Sequence, residues 1–317
     1  MTSSDISTSL APFIHLSRSQ WSALASTTPL PLTDADVARL SSLGDPIDLT
    51  EVDRIYRPLT ALVHHYVRAT QDRHRRISTF LDRSDQRVPF VIAIAGSVAA
   101  GKSTVARLLK ELLSRWPSTP NVELVTTDGF LYPNDVLTKR HMMDRKGFPE
   151  SYDRRAFLEF VQAIKAGVQT ISAPLYDHVT YDIVPGKVQT VSSPDILIIE
   201  GLNVLQPARV GAAGDMEAVS DYFDMSIYVD ADAGDIENWY INRFHTLKKT
   251  AFTDPLSYFA RYATLTEDRA TETARHIWRT VNLPNLLDNI EPTRTRATVI
   301  LSKRADHRIE SVYLRKP

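Results

Sequence analysis

Between residues 91 and 116 the chain passes from an apolar β-branched run, through two glycines, into an amphipathic helix. Val91–Ala95 is apolar throughout, as in a strand covered on both faces. Gly96-Ser97-Val98-Ala99-Ala100-Gly101-Lys102-Ser103 follows and fits the pattern G-x-x-x-x-G-K-[ST]. From Thr104 to Trp116, the residues Val105, Leu108, Leu109, Leu112, Leu113 and Trp116 form one stripe. Arg107, Lys110, Glu111 and Arg115 lie opposite, and Pro117 ends the helix. Glycine is scarce, 11 of 317 residues, so a pair at this spacing is informative. In a strand–loop–helix setting the glycines let successive backbone N–H groups turn toward phosphate oxygens. Lys102 supplies a point charge to the β- and γ-oxygens, and the Ser103 hydroxyl suits Mg²⁺. The stretch from Gly96 to Thr104 is therefore expected to hold a nucleotide's phosphates.

Four further β-branched runs follow: Val122–Thr126, Ile196–Ile199, Met225–Val229 and Thr298–Leu301. Helical segments lie between them, one of them Arg154–Ala166, with Phe157, Phe160, Val161 and Ile164 on one face and Gly167 as its C-cap. Strands alternating with helices imply an α/β fold, a parallel central sheet flanked by helices. Residues 1–87 read as a polar helical extension packed on an 88–317 core, within one domain spanning 1–317. Thr33 caps a short helix there, and Leu49–Arg76 has helical spacing that Pro58 adjusts. Arg73-His74-Arg75-Arg76 reads as a solvated helix face.

Charge and cysteine content narrow the function classes. Lys+Arg is 37 and Asp+Glu is 38, a net charge of −1, which gives no bulk attraction to nucleic acid or an anionic membrane. The absence of cysteine removes disulfide scaffolds, thiolate zinc sites and Cys nucleophiles. Met1–Leu10 lacks an apolar signal core, and no apolar run is long enough to span a bilayer. A soluble, cytoplasmic protein is expected.

The strand ends carry the remaining chemistry. Thr126-Thr127-Asp128-Gly129-Phe130 closes the second strand, where Asp128 is either a turn residue before glycine or the base for an attacking hydroxyl. Glu200, after Ile198-Ile199, is placed for a second Mg²⁺-organising carboxylate or is a solvated strand end. Tyr176-Asp177-His178-Val179-Thr180-Tyr181-Asp182 gathers donors and acceptors for a polar substrate, unless it is a plain surface loop. Arg145–Ser151 reads as a loop. Arg243, in the helical run Trp239–Phe244, is either a surface arginine or a lid residue that meets the transferred phosphoryl.

Together the stretches GSVAAGKST (96–104), TTDGF (126–130), KGFPESYD (146–153), PDILIIEGLNVLQ (194–206), WYINRF (239–244), AFTDPLSYF (251–259) and PTRTRA (292–297) resemble the bacterial type I pantothenate kinases. The resemblance implies a P-loop kinase fold, ATP and Mg²⁺ as cofactors, and phosphorylation of pantothenate in the first step of coenzyme A biosynthesis. It implies catalytic roles for Lys102, Asp128 and Arg243, and metal binding by Ser103, beside the strand-end Glu200 read above. Pantothenate would be gripped by Tyr176, His178, Tyr240 and Asn282. Arg107 would help bind coenzyme A as feedback inhibitor, with Phe244, Phe252, Phe259 and Tyr262 lining the pantetheine region. Lys303 and His307 would lie near the ATP adenine, and the assembly would be a homodimer. The chain departs from the family at Leu247, where an aromatic often stacks on the inhibitor, and near Gly44, where Asn can face the ATP base. Two other readings carry different expectations. A uridine or phosphoribulose kinase shares the loop and the strand-end acid. A nucleotide-binding regulator of the GTPase kind needs an Asn-Lys-x-Asp motif, and Thr138-Lys139-Arg140-His141 lacks its Asp.

Overall fold

A computed structural model of the chain describes residues 12–25, 28–83, 87–208 and 217–316. The Met1–Leu10 stretch lies outside them. The strands are β1 (Phe13–Ser17), β2 (Phe90–Gly96), β3 (Val122–Thr126), β4 (Thr170–Asp177), β5 (Asp182–Ser192), β6 (Ile196–Glu200), β7 (Met225–Asp230), β8 (Val299–Lys303) and β9 (Ile309–Arg315). Seven of them form one sheet in the order β1-β9-β8-β7-β2-β6-β3. The pairs β2–β6, β2–β7, β3–β6 and β7–β8 are parallel, while β8–β9 and β9–β1 are antiparallel. The five parallel strands are those expected from the sequence.

The central strand shows why the sheet forms. Every residue of β2 is buried. Ile92 and Ile94 point into the core on one face, with Ile196 and Ile198 of β6. Val91, Ala93 and Ala95 point into the other, with Leu197 and Ile199. Period-two alternation of side chains explains why a continuous apolar run serves two cores at once.

The longer helices are α1 (Arg18–Ser22), α2 (Asp34–Leu40), α3 (Arg57–Phe80), α4 (Lys102–Ser114), α5 (Asn134–Lys139), α6 (Arg154–Lys165), α7 (Ala233–Lys249) and α8 (Glu267–Ile277). Elements α1 to α4 supply Trp21, Val37, Leu59, Val63 and Leu108 to the first core. Phe157, Phe160 and Val161 of α6 fill the second, together with Trp239 and Trp278. A third cluster joins α7 to α8 through Ile241, Phe244, Phe252, Ala270 and Ala274. Thr33 and Asp36 form a reciprocal capping box on α2, as the sequence suggested.

Three features differ from the sequence reading. The amino-terminal region is not helical throughout, because β1 pairs with β9 from Phe13↔Arg315 to Ser17↔Ser311. The helical run from Leu49 is interrupted by a π turn at Val52–Tyr56 before α3 begins. Pro58 explains it, since its ring lacks an N–H and crowds the carbonyl four residues back. Residues 170–192 form a separate two-stranded hairpin, β4 with β5, mostly open to solvent and bulged between Pro174 and Tyr176.

Candidate active site

Parallel register delivers the strand ends to one edge. Ile94 of β2 pairs with Glu200 of β6, and Thr126 of β3 pairs with the same glutamate. Gly96, Glu200 and the 3₁₀ turn Thr127–Phe130 therefore leave the sheet side by side, at the carboxyl edge where open α/β sheets bind ligands. The loop from Gly96 to Gly101 then wraps into α4. Gly101 has φ +95°, and a Cβ there would lie 2.4 Å from Asp45 Oδ2 and 2.6 Å from Lys303 Nζ. Only glycine fits that corner. Ser97 and Ala100 are buried, whereas Val98 and Ala99 at the loop crest are partly open.

Lys102 sits at the amino end of α4, buried against the loop it follows. Its Nζ donates to the Ser97 carbonyl at 2.9 Å and lies 3.8 Å from Glu200 Oε1. Burial lowers the ammonium's pKa, against the opposing pull of the Glu200 and Asp128 charges. Burial also raises the Glu200 carboxyl's pKa, with Lys102 opposing and Asp128 adding to the rise. The Ser103 hydroxyl donates to Glu200 Oε2 at 3.1 Å. Ser103 and Glu200 thus place a hydroxyl and a carboxylate together beside the phosphate loop. These are hard oxygen donors, and the set fits Mg²⁺. The charge of Arg243, projecting from α7, is felt at both Lys102 and Arg107. Arg107 itself is tied to Leu40 O at 2.8 Å and Ser42 Oγ at 2.7 Å, and Thr104 accepts from Ser42 N at 3.1 Å.

A polar aromatic wall faces these groups. The run 176–182 is the tip of the β4–β5 hairpin, tightened by Asp177, which accepts from Val179 N at 2.9 Å and Thr180 N at 3.3 Å. Tyr176 packs edge-on to His178 and Tyr181, at 5.1 and 6.2 Å between ring centres. Tyr181 meets Phe259 at 4.8 Å, which ties the hairpin to the 251–263 segment. Burial raises the phenol pKa values of Tyr176, Tyr181 and Tyr240, and the Asp128 charge adds to the first two. Asn282, on a π turn at Trp278–Asn282, is near enough to influence the Tyr240 phenol without meeting hydrogen-bond geometry. His178 is exposed, and its charge reaches Glu200. The structure thus brings Tyr176, His178 and Tyr181 together within reach of the Asp128 charge, with Tyr240 near Tyr181 and Asn282 near Tyr240.

Comparison with known proteins decides the family. Residues 91–246 match the phosphoribulokinase/uridine kinase family. The pantothenate kinase of Paenarthrobacter aurescens is 56% identical over 96% of this chain and 95% of its own length. That of Parvibaculum lavamentivorans is 51% identical over 98% of this chain and 96% of its own. The chain belongs to the pantothenate kinase family. Among solved structures, D-glycerate 3-kinase from Cryptococcus neoformans superposes with a TM-score of 0.54 at 14% identity, covering 79% of this chain and 97% of that one. At that identity the likeness concerns the fold alone.

Within this pantothenate kinase fold, Lys303 and His307 lie on the other side of the phosphate loop from Asp128. Lys303 Nζ donates to Asp45 Oδ1 at 2.6 Å and to the Ala100 carbonyl at 3.2 Å. His307 stacks on Trp239 at 4.2 Å, with Nδ1 3.2 Å from Asp45 Oδ1. These groups border a cleft of about 250 Å³ that also takes in Ile47, Asp48 and Tyr56. Gly44 backs onto Arg243, whose Cβ would be 3.5 Å from a Cβ on the glycine. Leu247 packs with Phe259 and Tyr262 in the third core.

Two residues escaped the sequence reading. Asp45 has no local signal, because its partners are more than 250 positions away. Lys146 belongs to a stretch read only as a loop. Its ammonium donates to Asn134 Oδ1 at 2.7 Å and to the Tyr181 carbonyl at 2.5 Å, and lies 4.1 Å from the Tyr181 ring centre. Burial pushes its pKa down to about 8, against Asp182 and Asp128. The glycine and proline that mark 145–151 as a loop say nothing of where its lysine points.

Proposed function

We propose that this chain transfers the γ-phosphoryl group of ATP to the primary hydroxyl of pantothenate, giving 4′-phosphopantothenate and ADP. One observation carries the reading. The charge of Asp128 is felt both at the phosphate-loop lysine and at Tyr176 and Tyr181, which suits a base for an alcohol that attacks a phosphoryl group. The names of the high-identity relatives supply the acceptor.

The roles follow from placement. The backbone from Gly96 to Thr104 cradles the phosphates. Lys102 and Arg243 neutralise charge on the transferred group. Asp128 accepts the hydroxyl proton as the new O–P bond forms and the bond to ADP breaks. Tyr176, His178, Tyr181, Tyr240 and Asn282 hold pantothenate so that its hydroxyl points at the phosphorus. Ser103 and Glu200 would hold Mg²⁺, which when bound would neutralise charge developing on the phosphates. Lys303 and His307 border the nucleotide's base.

The same reading extends to regulation and assembly. Coenzyme A inhibits by occupying the ATP site, with Arg107 on its phosphates and Phe244, Phe252, Phe259 and Tyr262 around its pantetheine arm. The chain works in the cytoplasm as one kinase domain spanning 1–317 and pairs as a homodimer. Supporting the pairing, Ile77, Phe80 and Leu81 leave an apolar patch exposed at the end of α3. No helix among the described residues is long and apolar enough to cross a membrane.

A coupled ADP-release assay with Mg-ATP and a panel of pantothenate, uridine and ribulose 5-phosphate tests the acceptor. Turnover with pantothenate alone, reduced by coenzyme A in competition with ATP, is the expected result. Turnover with uridine or ribulose 5-phosphate instead overturns the assignment.

A further inference from the structure

Behind the Asp128 turn, three residues with buried polar atoms line one pocket. Thr127 Oγ1, Tyr152 OH and Asn203 Oδ1 are shielded from solvent, and none has a hydrogen-bond partner among the described residues. All three residues line a cavity of about 30 Å³, whose other walls include Pro149, Phe157, Val204 and Val219. The Thr127 and Tyr152 hydroxyls are near enough to influence ionisation without meeting hydrogen-bond geometry. The amide of Asn203 is oriented by its other end. Its Nδ2 donates to the Gly147 carbonyl at 2.7 Å, so the oxygen is the atom left for the cavity.

Buried polar atoms are costly when unmet, and three in one place call for a shared partner. The cavity exceeds the roughly 10–15 Å³ that admits one water. One acceptor and two hydroxyls are also the set a single water satisfies. It donates to Asn203 Oδ1 and one hydroxyl, and accepts from the other.

We propose that Thr127, Tyr152 and Asn203 hold a buried water that fixes the turn carrying Asp128. The positioning half of this proposal rests on Asp128 being the base. Thr127 immediately precedes it and is wedged against Gly201, where a Cβ would lie 1.9 Å from Thr127 Oγ1. Tyr152 belongs to a segment already stitched to the same turn, through Leu131↔Tyr152 pairing and an Asp153 N–H bond to Phe130 O at 2.7 Å. Asn203 brings in the segment after Glu200. One water therefore joins three segments around the two carboxylates. Thr127, Tyr152 and Asn203 act as positioning residues through Asp128.

Two measurements test this. Crystals of the full chain, diffracting well enough to place waters, should show one water within hydrogen-bond distance of all three atoms, lost or displaced in Tyr152→Phe. Direct bonding between the two hydroxyls with no water overturns the site, whatever substrate the protein uses. In kinetics, Tyr152→Phe and Thr127→Val should lower kcat about threefold to tenfold with KM for ATP unchanged, while Thr127→Ser keeps the parental kcat. Parental kcat in both hydroxyl-deleted variants overturns the positioning role. A water present in a protein that ignores pantothenate leaves the site standing and refutes the substrate assignment instead.

Discussion

At the scale of single residues, burial works against the charges of both Lys102 and Glu200, and each of the two charges helps to keep the other in place. Asp128 is half-buried and shares its field with the tyrosines of the substrate wall. Replacing it with Asn preserves shape and removes the proton acceptor. Asp128→Asn is expected to lower kcat by about 10²–10⁴-fold with little change in KM for ATP, measured by steady-state ADP release. Unchanged turnover would refute the assignment. Lys146 gives a pH prediction. Its folded pKa, about 8, lies below the ordinary lysine value, so the ammonium is charged below pH 8 and neutral above it. Pantothenate is an anion, and kcat/KM for it should fall as pH rises through about 8. In Lys146→Arg, whose guanidinium stays charged, that fall should vanish. A pH–rate profile of both proteins checks it.

At the scale of elements, adjacent strand ends are spaced by a contact between Thr127 and Gly201. The methyl group of an alanine at 201 has no room, since Thr127 Oγ1, Cβ and Cγ2 all crowd its position. Gly201→Ala should destabilise the fold by about 1–3 kcal/mol through overpacking and also lower kcat. Thermal unfolding beside kinetics would show both effects, and a parental Tm would refute the packing argument. The same elements show what a sequence can and cannot disclose. Strands β2 and β6 were legible because burial on both faces leaves a nearly continuous apolar run, and β3, β7 and β8 because each carries a short β-branched run. Strand β9 is broken by Glu310 and Ser311, and β1 is short and sits at the sheet edge, so neither carries that signature. The β4–β5 hairpin contains Pro174, Pro185 and Gly186, residues that argue against a central strand, and a two-stranded pair of edge strands, bulged after Pro174, accommodates them. Its tip was nevertheless marked as a recognition loop by residue type alone.

For the whole molecule, the amino-terminal region and the last strands meet over the phosphate loop. Asp45 joins Lys303 and His307 across the length of the chain, and Asp45 and Lys303 pack against Gly101. Burial opposes ionisation of Asp45, but the His307 ring nitrogen 3.2 Å away and the hydrogen bond and charge of Lys303 outweigh it, leaving its pKa below the usual value. The stability this confers is present at neutral pH and is lost as pH falls through that lowered value. Asp45→Ala leaves a buried ammonium unpaired, at a cost of about 3–5 kcal/mol, and should both lower Tm and raise KM for ATP. A drop in Tm with parental ATP kinetics would separate this contact from the nucleotide site. Such a contact is invisible to motif reading, which recovered the phosphate loop and the two strand-end acids because each lies within a few residues of its own local signal. The central claim is that phosphate loop, Asp128 and substrate wall together make a phosphotransferase for pantothenate. Its most direct test is to incubate the full chain with Mg-ATP and pantothenate and identify the product by mass and by ³¹P NMR, beside Lys102→Met. A phosphate monoester on the primary hydroxyl, formed by the parent and nearly absent with Lys102→Met, is the predicted result; unmodified pantothenate with the parent, or equal product with the variant, would contradict it.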